Sequence, residues 1–168
     1  ITTLDLSQNT ALVSLSLLGT SLTTLNVSQN INLKLMVVRA CQLTSLDVSN
    51  NTNLTHLVCD YNNLTCLDLS QNLNLDTILC SDNLLDQLNT KNGNFFFKYV
   101  DARNNNLNCI EVDNIGHATN NWDFDSFATF STNCNYTSPC TTVSEIEEHL
   151  TNKELLKVTD LLGRETKQ

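Results

Sequence analysis

The chain has 168 residues and a formal net charge of −9, from 9 Lys and Arg against 18 Asp and Glu. Leu, Val and Ile are too abundant for an intrinsically disordered chain, which lacks the apolar side chains of a core. The acidic balance argues against nucleic-acid binding, which needs clustered Lys and Arg. No apolar run approaches the roughly 18 residues of a membrane span, so membrane insertion is not expected either. One folded domain is therefore predicted.

The first 84 residues form four blocks of 21 residues whose apolar side chains fall at the same positions. Residues 43–63 read LTSLDVSNNTNLTHLVCDYNN, and residues 64–84 read LTCLDLSQNLNLDTILCSDNL. A fixed period of this length identifies a repeat protein, whose units stack so that each contacts its neighbours. Because the sequence opens inside a unit without the polar cap of a first coil, we expect Ile1 to lie within a longer protein, with its N-terminus and any signal peptide upstream.

Each unit contains two half-motifs. The first, L-x-x-L-x-(L/V)-S-x-N, alternates with period two and predicts a short strand or extended turn on the convex side. The second, L-x-x-L-x-C-x-x-N-x-L, is the leucine-rich repeat signature, in which a short parallel strand carrying Leu57 is followed by Asn62. The Asn side chain bonds buried backbone groups of the turn. Since 21 residues leave no room for a full helix, we predict a β-dominated solenoid of the α/β class with a parallel concave sheet and little helix.

The fifth unit, which begins at Leu85, is irregular because it has 22 residues. Phe97 and Val100 take the inward positions of its concave strand, and an inserted Asn-Gly pair at residues 92–93 suits a tight turn. The repeat array is therefore predicted to span residues 1–108.

A C-terminal cap is predicted in residues 109–140. From Asn114 the segment NIGHATNNWDFDSFATFSTNCNYTSPC departs from the repeat, and its aromatic side chains can cover the open hydrophobic end of a solenoid. These aromatic residues are Trp122, Phe124, Phe127 and Phe130. We expect a disulfide between Cys109 and Cys134 to join the cap to the last coil, although a sequence alone does not give connectivity.

The order of these motifs resembles that of a known family. The LTxLDVSxNTxL units, the NGN insertion, LNCIEVDN and NWDFDSFATFSTNC together resemble secreted leucine-rich repeat proteins of the Bacteroidota. Residues 153–168, KELLKVTDLLGRETKQ, resemble the opening of the C-terminal sorting domain of type IX secretion cargo; the matching residues are Val158, Asp160, Gly163 and Arg164. The resemblance implies export, with residues 141–152 as a linker. Because the sequence stops at Gln168, we expect the sorting domain to be incomplete in it.

The seven cysteines have several possible roles. Cys59 and Cys80 take an inward position of the concave strand, where packing explains them better than metal binding. Cys41, which occupies the Asn position in the second unit as Thr20 does in the first, is expected to be buried. Cys66 projects outward from the convex segment and is predicted to be a free thiol. Cys140 is expected to pair outside this sequence or with another cysteine of the cap, and the absence of C-x-x-C argues against zinc.

The sequence contains no arrangement typical of catalysis. His56, His117 and His149 have no partner at ligand or catalytic spacing, so neither enzyme activity nor a cofactor is predicted. His56 is expected to face outward from the concave strand as a contact residue.

Stacking also creates a polar column on the convex side. Its members are Asp5, Asn26, Asp47, Asp68 and Asn89. Neighbouring carboxylates could bridge calcium, but a solvated polar face, with Asn interrupting the like charges, is the favoured interpretation. No metal site is predicted.

The outward positions of the concave strands form the candidate ligand-binding face. Stacking in register places Val37, Val58 and Leu79 side by side in the open, and apolar stripes with a polar rim are typical of protein-binding surfaces. The alternative is that β-branched residues merely favour a sheet surface. The predicted contact residues are Leu35, Val37, Arg39, His56, Val58, Asp60, Tyr61, Thr77, Leu79, Tyr99, Asp101 and Arg103.

These observations predict a monomeric, non-enzymatic leucine-rich repeat module of an exported or cell-surface bacterial protein, exposed outside the outer membrane. Its concave sheet would bind a protein or glycan, as in adhesion. The alternative is a structural spacer that carries another domain, possibly catalytic, upstream. A repeat scaffold defines the shape of a site but not its ligand.

Overall fold

The computed structural model describes residues 1–95, 97–136 and 140. The predicted linker and sorting domain, with Val158, Asp160, Gly163 and Arg164, lie outside the described residues, as does His149. No helix in the described ranges has both the length and the apolar character needed to cross a bilayer.

Within those ranges the chain forms nine short strands and one helix. In chain order they are β1 (Ser14–Leu18), β2 (Leu35–Arg39), β3 (His56–Val58), β4 (Cys66–Asp68), β5 (Thr77–Leu79), β6 (Gln87–Asn89), β7 (Tyr99–Asp101), β8 (Cys109–Glu111), α1 (Ile115–Asn121) and β9 (Thr129–Ser131). The concave sheet has the order β1-β2-β3-β5-β7, and the convex sheet has the order β4-β6-β8-β9. The predicted second strand is therefore present in the later units.

Every strand pair is parallel and lies one unit apart along the chain. Leu57 pairs with Met36 on one side and with Ile78 on the other, and Ile78 pairs with Val100. The extra residue of the fifth unit is absorbed in the turn at Gly93, where φ is +82°. The predicted fold class is confirmed: the chain is a leucine-rich repeat β-solenoid of about 6 turns with little helix.

Two buried Asn columns tie each coil to the one before it. Asn62 Nδ2 donates to Val38 O at 2.7 Å and to Cys59 O at 3.0 Å, while Asn62 Oδ1 accepts from Cys41 N and Leu43 N. Asn83 and Asn105 repeat this arrangement. On the convex side Asn30, Asn51 and Asn72 each donate to two carbonyls of the preceding unit. Asn thus satisfies backbone groups that stacking removes from water.

The cap continues the solenoid for one further turn. β9 pairs with β8, and Asp123 forms a parallel bridge with Asp101 beside the concave sheet. Trp122 is buried and packs edge-to-face against Phe97 and Phe130. One predicted member of the aromatic patch is wrong: Phe127 is 58% exposed, because the turn before β9 directs its ring away from the core.

Two disulfides fasten the C-terminal part of the segment predicted as the cap. Cys109 and Cys134 form the predicted bridge. The predictions for Cys66 and Cys140 are wrong, because these two residues form a disulfide with each other. Cys66 does project from the convex sheet, and for that reason Cys140, at the end of the cap segment, can reach it.

We name residues 132–136 and 140 the strap. Between its two disulfides, the hydroxyl of Tyr136 lies 3.0 Å from Leu88 O and 2.9 Å from Cys109 O, and it accepts from Leu88 N at 3.2 Å. The strap therefore contacts β8 through Cys134, β6 through Tyr136 and β4 through Cys140.

Candidate binding surface

The middle column of the concave sheet is apolar at its centre. Val37 pairs with Val58 and Val58 with Leu79, so the three side chains lie side by side as predicted. They are half-buried rather than open, because side chains on paired strands lie about 4.8 Å apart and cover part of one another. In β7, the last strand of the concave sheet, Asp101 takes the next position in this column, so the column changes from apolar to acidic.

The column at the start of the strands carries a small charged network. Asp76 Oδ2 lies 2.6 Å from Lys98 Nζ, and Asp76 Oδ1 lies 3.7 Å from His56 Nε2. His56 is exposed as predicted, but stacking supplies an acidic partner that lies 20 residues away in sequence and that no spacing rule indicated. Burial opposes ionisation of Asp76, yet hydrogen bonds from Lys98 and Thr77 outweigh it and lower the pKa of this carboxyl group.

Two Arg–Asp pairs lie at the ends of the strands, one within the strand-end column and one that joins Arg103 of this column to Asp101 of the middle column. Arg39 Nε lies 3.0 Å from Asp60 Oδ2. Arg103 holds Asp101 with two bonds, from Nε at 3.0 Å and from Nη2 at 2.8 Å. The two carboxylates were predicted to be exposed contact residues, but Asp60 is only 6% and Asp101 only 8% exposed. Each lies beneath a long Arg side chain, so the exposed groups here are the guanidiniums.

A column of left-handed residues follows directly, one in each unit. Gly19, Ala40, Tyr61, Asp82 and Asn104 all have φ between 53° and 61°. The N–H of each of the first four donates to a carbonyl of the next unit; for Tyr61 the acceptor is Ser81 O. This conformation places the Tyr61 ring and the Asp82 carboxylate on the rim, where Tyr61 is exposed and stacks beneath Arg39 with 5.0 Å from guanidinium carbon to ring centroid. Sequence analysis identified Tyr61 but missed Asp82 and Asn104. Gly, Asp and Asn at a regular spacing were the available signal, because these residues tolerate left-handed backbone best.

The ends of the concave strands border an open surface groove of about 480 Å³, which we name the rim groove. It is lined by Arg39, Asp60, Tyr61, Leu79, Ser81, Asp82, Asp101, Arg103 and Asn104. Burial raises the pKa of Asp60 although Arg39 opposes the change. Burial acts on Asp101 in the same sense, but the hydrogen bonds from Arg103 prevail and lower its pKa. The pKa values of these two similarly buried carboxylates therefore shift in opposite directions, because Arg103 donates two guanidinium bonds to Asp101 whereas Arg39 donates one to Asp60.

The predicted groups of the interior and the convex side are engaged in packing and turns. Cys41, Cys59 and Cys80 are buried free thiols, and burial raises the pKa of Cys80 to about 12. Asp5, Asp47 and Asp68 each accept the N–H of the Ser two residues later, which fixes a local turn. No group of three His, Cys, Asp or Glu residues in the described part of the chain is arranged to hold a metal ion.

Comparison with protein-family models and with curated proteins finds no match. Among solved structures, the chain is similar to the functional domain of InlJ from Listeria monocytogenes, described as including a cysteine ladder. The two are 28% identical with a TM-score of 0.62, over 74% of this chain and 32% of that one. This chain therefore spans about a third of the length of the protein it matches. The likeness agrees with the leucine-rich repeat fold.

Proposed function

We propose that this chain is a protein-binding module of an extracellular protein and that the concave sheet holds its ligand. The observation that carries the proposal is the apolar column of Val37, Val58 and Leu79, which lies between two charged columns. Apolar area at the centre with charge at the rim is the composition of a protein-recognition surface. The neighbouring Arg–Asp pairs would select the partner and its orientation.

The backbone makes this face well suited to binding. Its side chains project from strands paired on both sides, and the Asn columns fix the spacing of successive coils. A surface held in this way loses little conformational entropy when a ligand binds. The stacked units therefore present contacts at a fixed spacing of about 4.8 Å.

Two observations support an extracellular location. Both disulfides are of a kind that persists in oxidising compartments, and the chain is similar to the InlJ domain. The finer proposal is a bacterial adhesion protein that a type IX system exports to the outside of the outer membrane, and it relies on the resemblance of residues 153–168. No catalytic role is part of the proposal.

One observation favours the alternative of a structural spacer. The apolar column is half-buried, and β-branched side chains pack well on any sheet. A spacer of this kind would present the same residues without using them.

Three matched Leu→Glu variants separate the two functions. Leu35 and Leu79 lie on the concave face, whereas Leu73 lies in a turn outside it and is 63% exposed. The wild type and each variant would be tested by biolayer interferometry against purified extracellular-matrix proteins, intact and enzymatically deglycosylated. Far-UV circular dichroism would check the fold. Since Leu35 is already 39% exposed, its replacement does not disturb the core.

We expect Leu35→Glu and Leu79→Glu to weaken binding by about tenfold or more, as for residues at the centre of an interface, and Leu73→Glu to leave it unchanged. Binding that survives both concave substitutions would support the spacer. Binding that is lost only on deglycosylation would indicate a glycan ligand.

A further inference from the structure

The rim groove contains more negative than positive charge. Three of its lining side chains are carboxylates and two are guanidiniums. Arg39 is paired with Asp60 and Arg103 with Asp101, which leaves Asp82 as the third carboxylate. Asp82 accepts a hydrogen bond from Asn104 Nδ2 at 2.9 Å, and it takes part in none of the ion pairs of the described residues.

The hydrogen bonding of Asp60 is a second observation, independent of the charge count, that bears on a ligand for the groove. Its side chain lines the groove and is only 8% exposed, with Oδ2 bonded to Arg39. Its other oxygen, Oδ1, is buried and has no hydrogen-bond partner. A buried carboxylate oxygen without a donor is costly, and most such atoms in folded proteins have a partner. The single bond from Arg39 thus leaves this carboxylate incompletely neutralised, and further positive charge in the groove would stabilise it.

The neighbouring residues favour a cation rather than an anion or a neutral group. Asp123 lies 3.9 Å from Arg103, and Asp125 accepts the N–H groups of Asn104 and Asn105. Both carboxylates add to the negative potential on the cap side. Tyr61 lies one unit before Asp82, and its ring already attracts one cation, the guanidinium of Arg39, at 5.0 Å. The net charge of −9 would steer basic partners toward the molecule.

We propose that the rim groove is an anchor site for a lysine side chain of the protein partner, with the ammonium group held by Asp82 beside the ring of Tyr61 and stabilised by the negative charge of Asp60. An ammonium group is a compact charge with three donors and no acceptor, which matches a groove whose uncommitted atoms are acceptors. A sugar presents hydroxyl groups that both donate and accept, and Arg39 and Arg103 already have acceptors. The inference rests on the proposed function, since the lysine belongs to the partner bound on the concave face.

The probe is the peptide acetyl-Ala-Lys-Ala-amide, which is titrated into the isotope-labelled protein while the backbone amides of Ser81, Asp82 and Asn104 are followed by NMR. The same peptide with Gln in place of Lys serves as the neutral control. Asp82→Asn keeps the left-handed backbone and the bond from Asn104, because Asn tolerates this conformation at least as well. Asp86→Asn is the matched control, since Asp86 is exposed beside the convex strand of the next unit.

We expect saturable shifts at the three amides with the lysine peptide and none with the Gln peptide. Asp82→Asn should weaken binding by about tenfold, the effect of losing one charge-assisted contact, and Asp86→Asn by less than about twofold. Tyr61→Leu should weaken it by about threefold while Tyr61→Phe preserves it.

Three outcomes would overturn the lysine anchor. The first is that the amide signals of the wild type show no saturable shift with the lysine peptide. The second is that Asp82→Asn and Asp86→Asn lose equal affinity for this peptide. The third is that the amide signals shift with methyl glucoside but not with the lysine peptide. None of them affects the concave-face proposal, which fails separately if Leu35→Glu and Leu79→Glu retain partner binding.

Discussion

The disulfide between Cys66 and Cys140 should be the largest single covalent contribution to stability. It joins residues 74 positions apart and closes a loop that includes the last convex coils and the cap. Replacing both residues with Ala removes the crosslink and leaves the hydrogen bonds of Tyr136 in place. The expected loss therefore comes mainly from the unfolded chain, which gains conformational freedom.

The size of the loss follows from the loop length. Loop-closure entropy for 74 residues gives about 4.4 kcal/mol at room temperature, and the shorter loop of 25 residues between Cys109 and Cys134 gives about 3.5 kcal/mol. For a chain of this size a loss of about 4 kcal/mol lowers the melting temperature by roughly 10 °C. The double variant without the Cys66–Cys140 bridge should thus be less stable than the double variant without the Cys109–Cys134 bridge, although Cys66 lies farther from the end of the array than Cys109 does.

Urea unfolding would be followed by two probes. Circular dichroism reports the solenoid, and fluorescence reports the cap, because the single Trp of the chain is Trp122. Peptide mapping of the wild type under non-reducing conditions would establish both bridges first. If the Cys66→Ala, Cys140→Ala protein unfolds within about 1 kcal/mol of a wild type whose bridge is intact, loop-closure entropy is not what the strap contributes.

Three further predictions concern the interior and the rim. Asn62→Ala should lower the free energy of unfolding by about 3 kcal/mol or more in urea titrations, because it leaves several buried backbone groups without partners. Asn53→Ala is the control: it loses one hydrogen bond on the exposed surface and should lower the free energy of unfolding by less than about 1 kcal/mol. The pKa of Asp60 is raised above 3.8 and that of Asp101 is lowered below it, so acidification stabilises the folded protein as Asp60 protonates and destabilises it as Asp101 protonates. As the pH of a denaturation assay falls from about 6 to about 3, Asp60→Asn should therefore lose stability relative to the wild type, and Asp101→Asn should gain it. Stability profiles of the variants that run parallel to that of the wild type would contradict these pKa shifts. Iodoacetamide should modify no cysteine of the native protein and three cysteines after denaturation, because the free thiols are buried and the pKa of Cys80 is about 12; labelling of the native protein, read by intact mass, would contradict that burial.

The repeat pattern determined most of the fold. A period of 21 residues specifies which side chains stack, so the pairing of Val37 with Val58 and Leu79 could be predicted without any knowledge of the turns. The 22-residue unit did not disturb this prediction, because Val100 could be assigned by its apolar neighbours alone. Inward positions are specified by the hydrophobic effect, which a sequence displays directly.

The rim was harder to predict because its geometry depends on features that composition does not display. A period assigns Asp101 to the middle column and Asp60 to the column at the strand ends, but it does not show how a long Arg side chain folds over each carboxylate. Asp82 and Asn104 were missed because only one residue of the left-handed column, Gly19, is a glycine. The pairing of Cys66 with Cys140 depends on the path of a non-repeating segment, for which a period carries no information.

The strap lies on the convex face and the rim groove on the concave face. Different parts of the fold should therefore determine the stability of the protein and the affinity of the rim groove for its ligand. The strap fastens β4, β6 and β8 on the convex side. The residues of the rim groove are positioned instead by the parallel pairing of the concave strands and by Asn83 and Asn105, which bond to carbonyls of adjacent coils. Removing the bridge from Cys66 should therefore lower the unfolding midpoint without changing the affinity of the folded protein for the lysine peptide. A coupled loss of both would mean that the convex strands set the spacing of the concave ones.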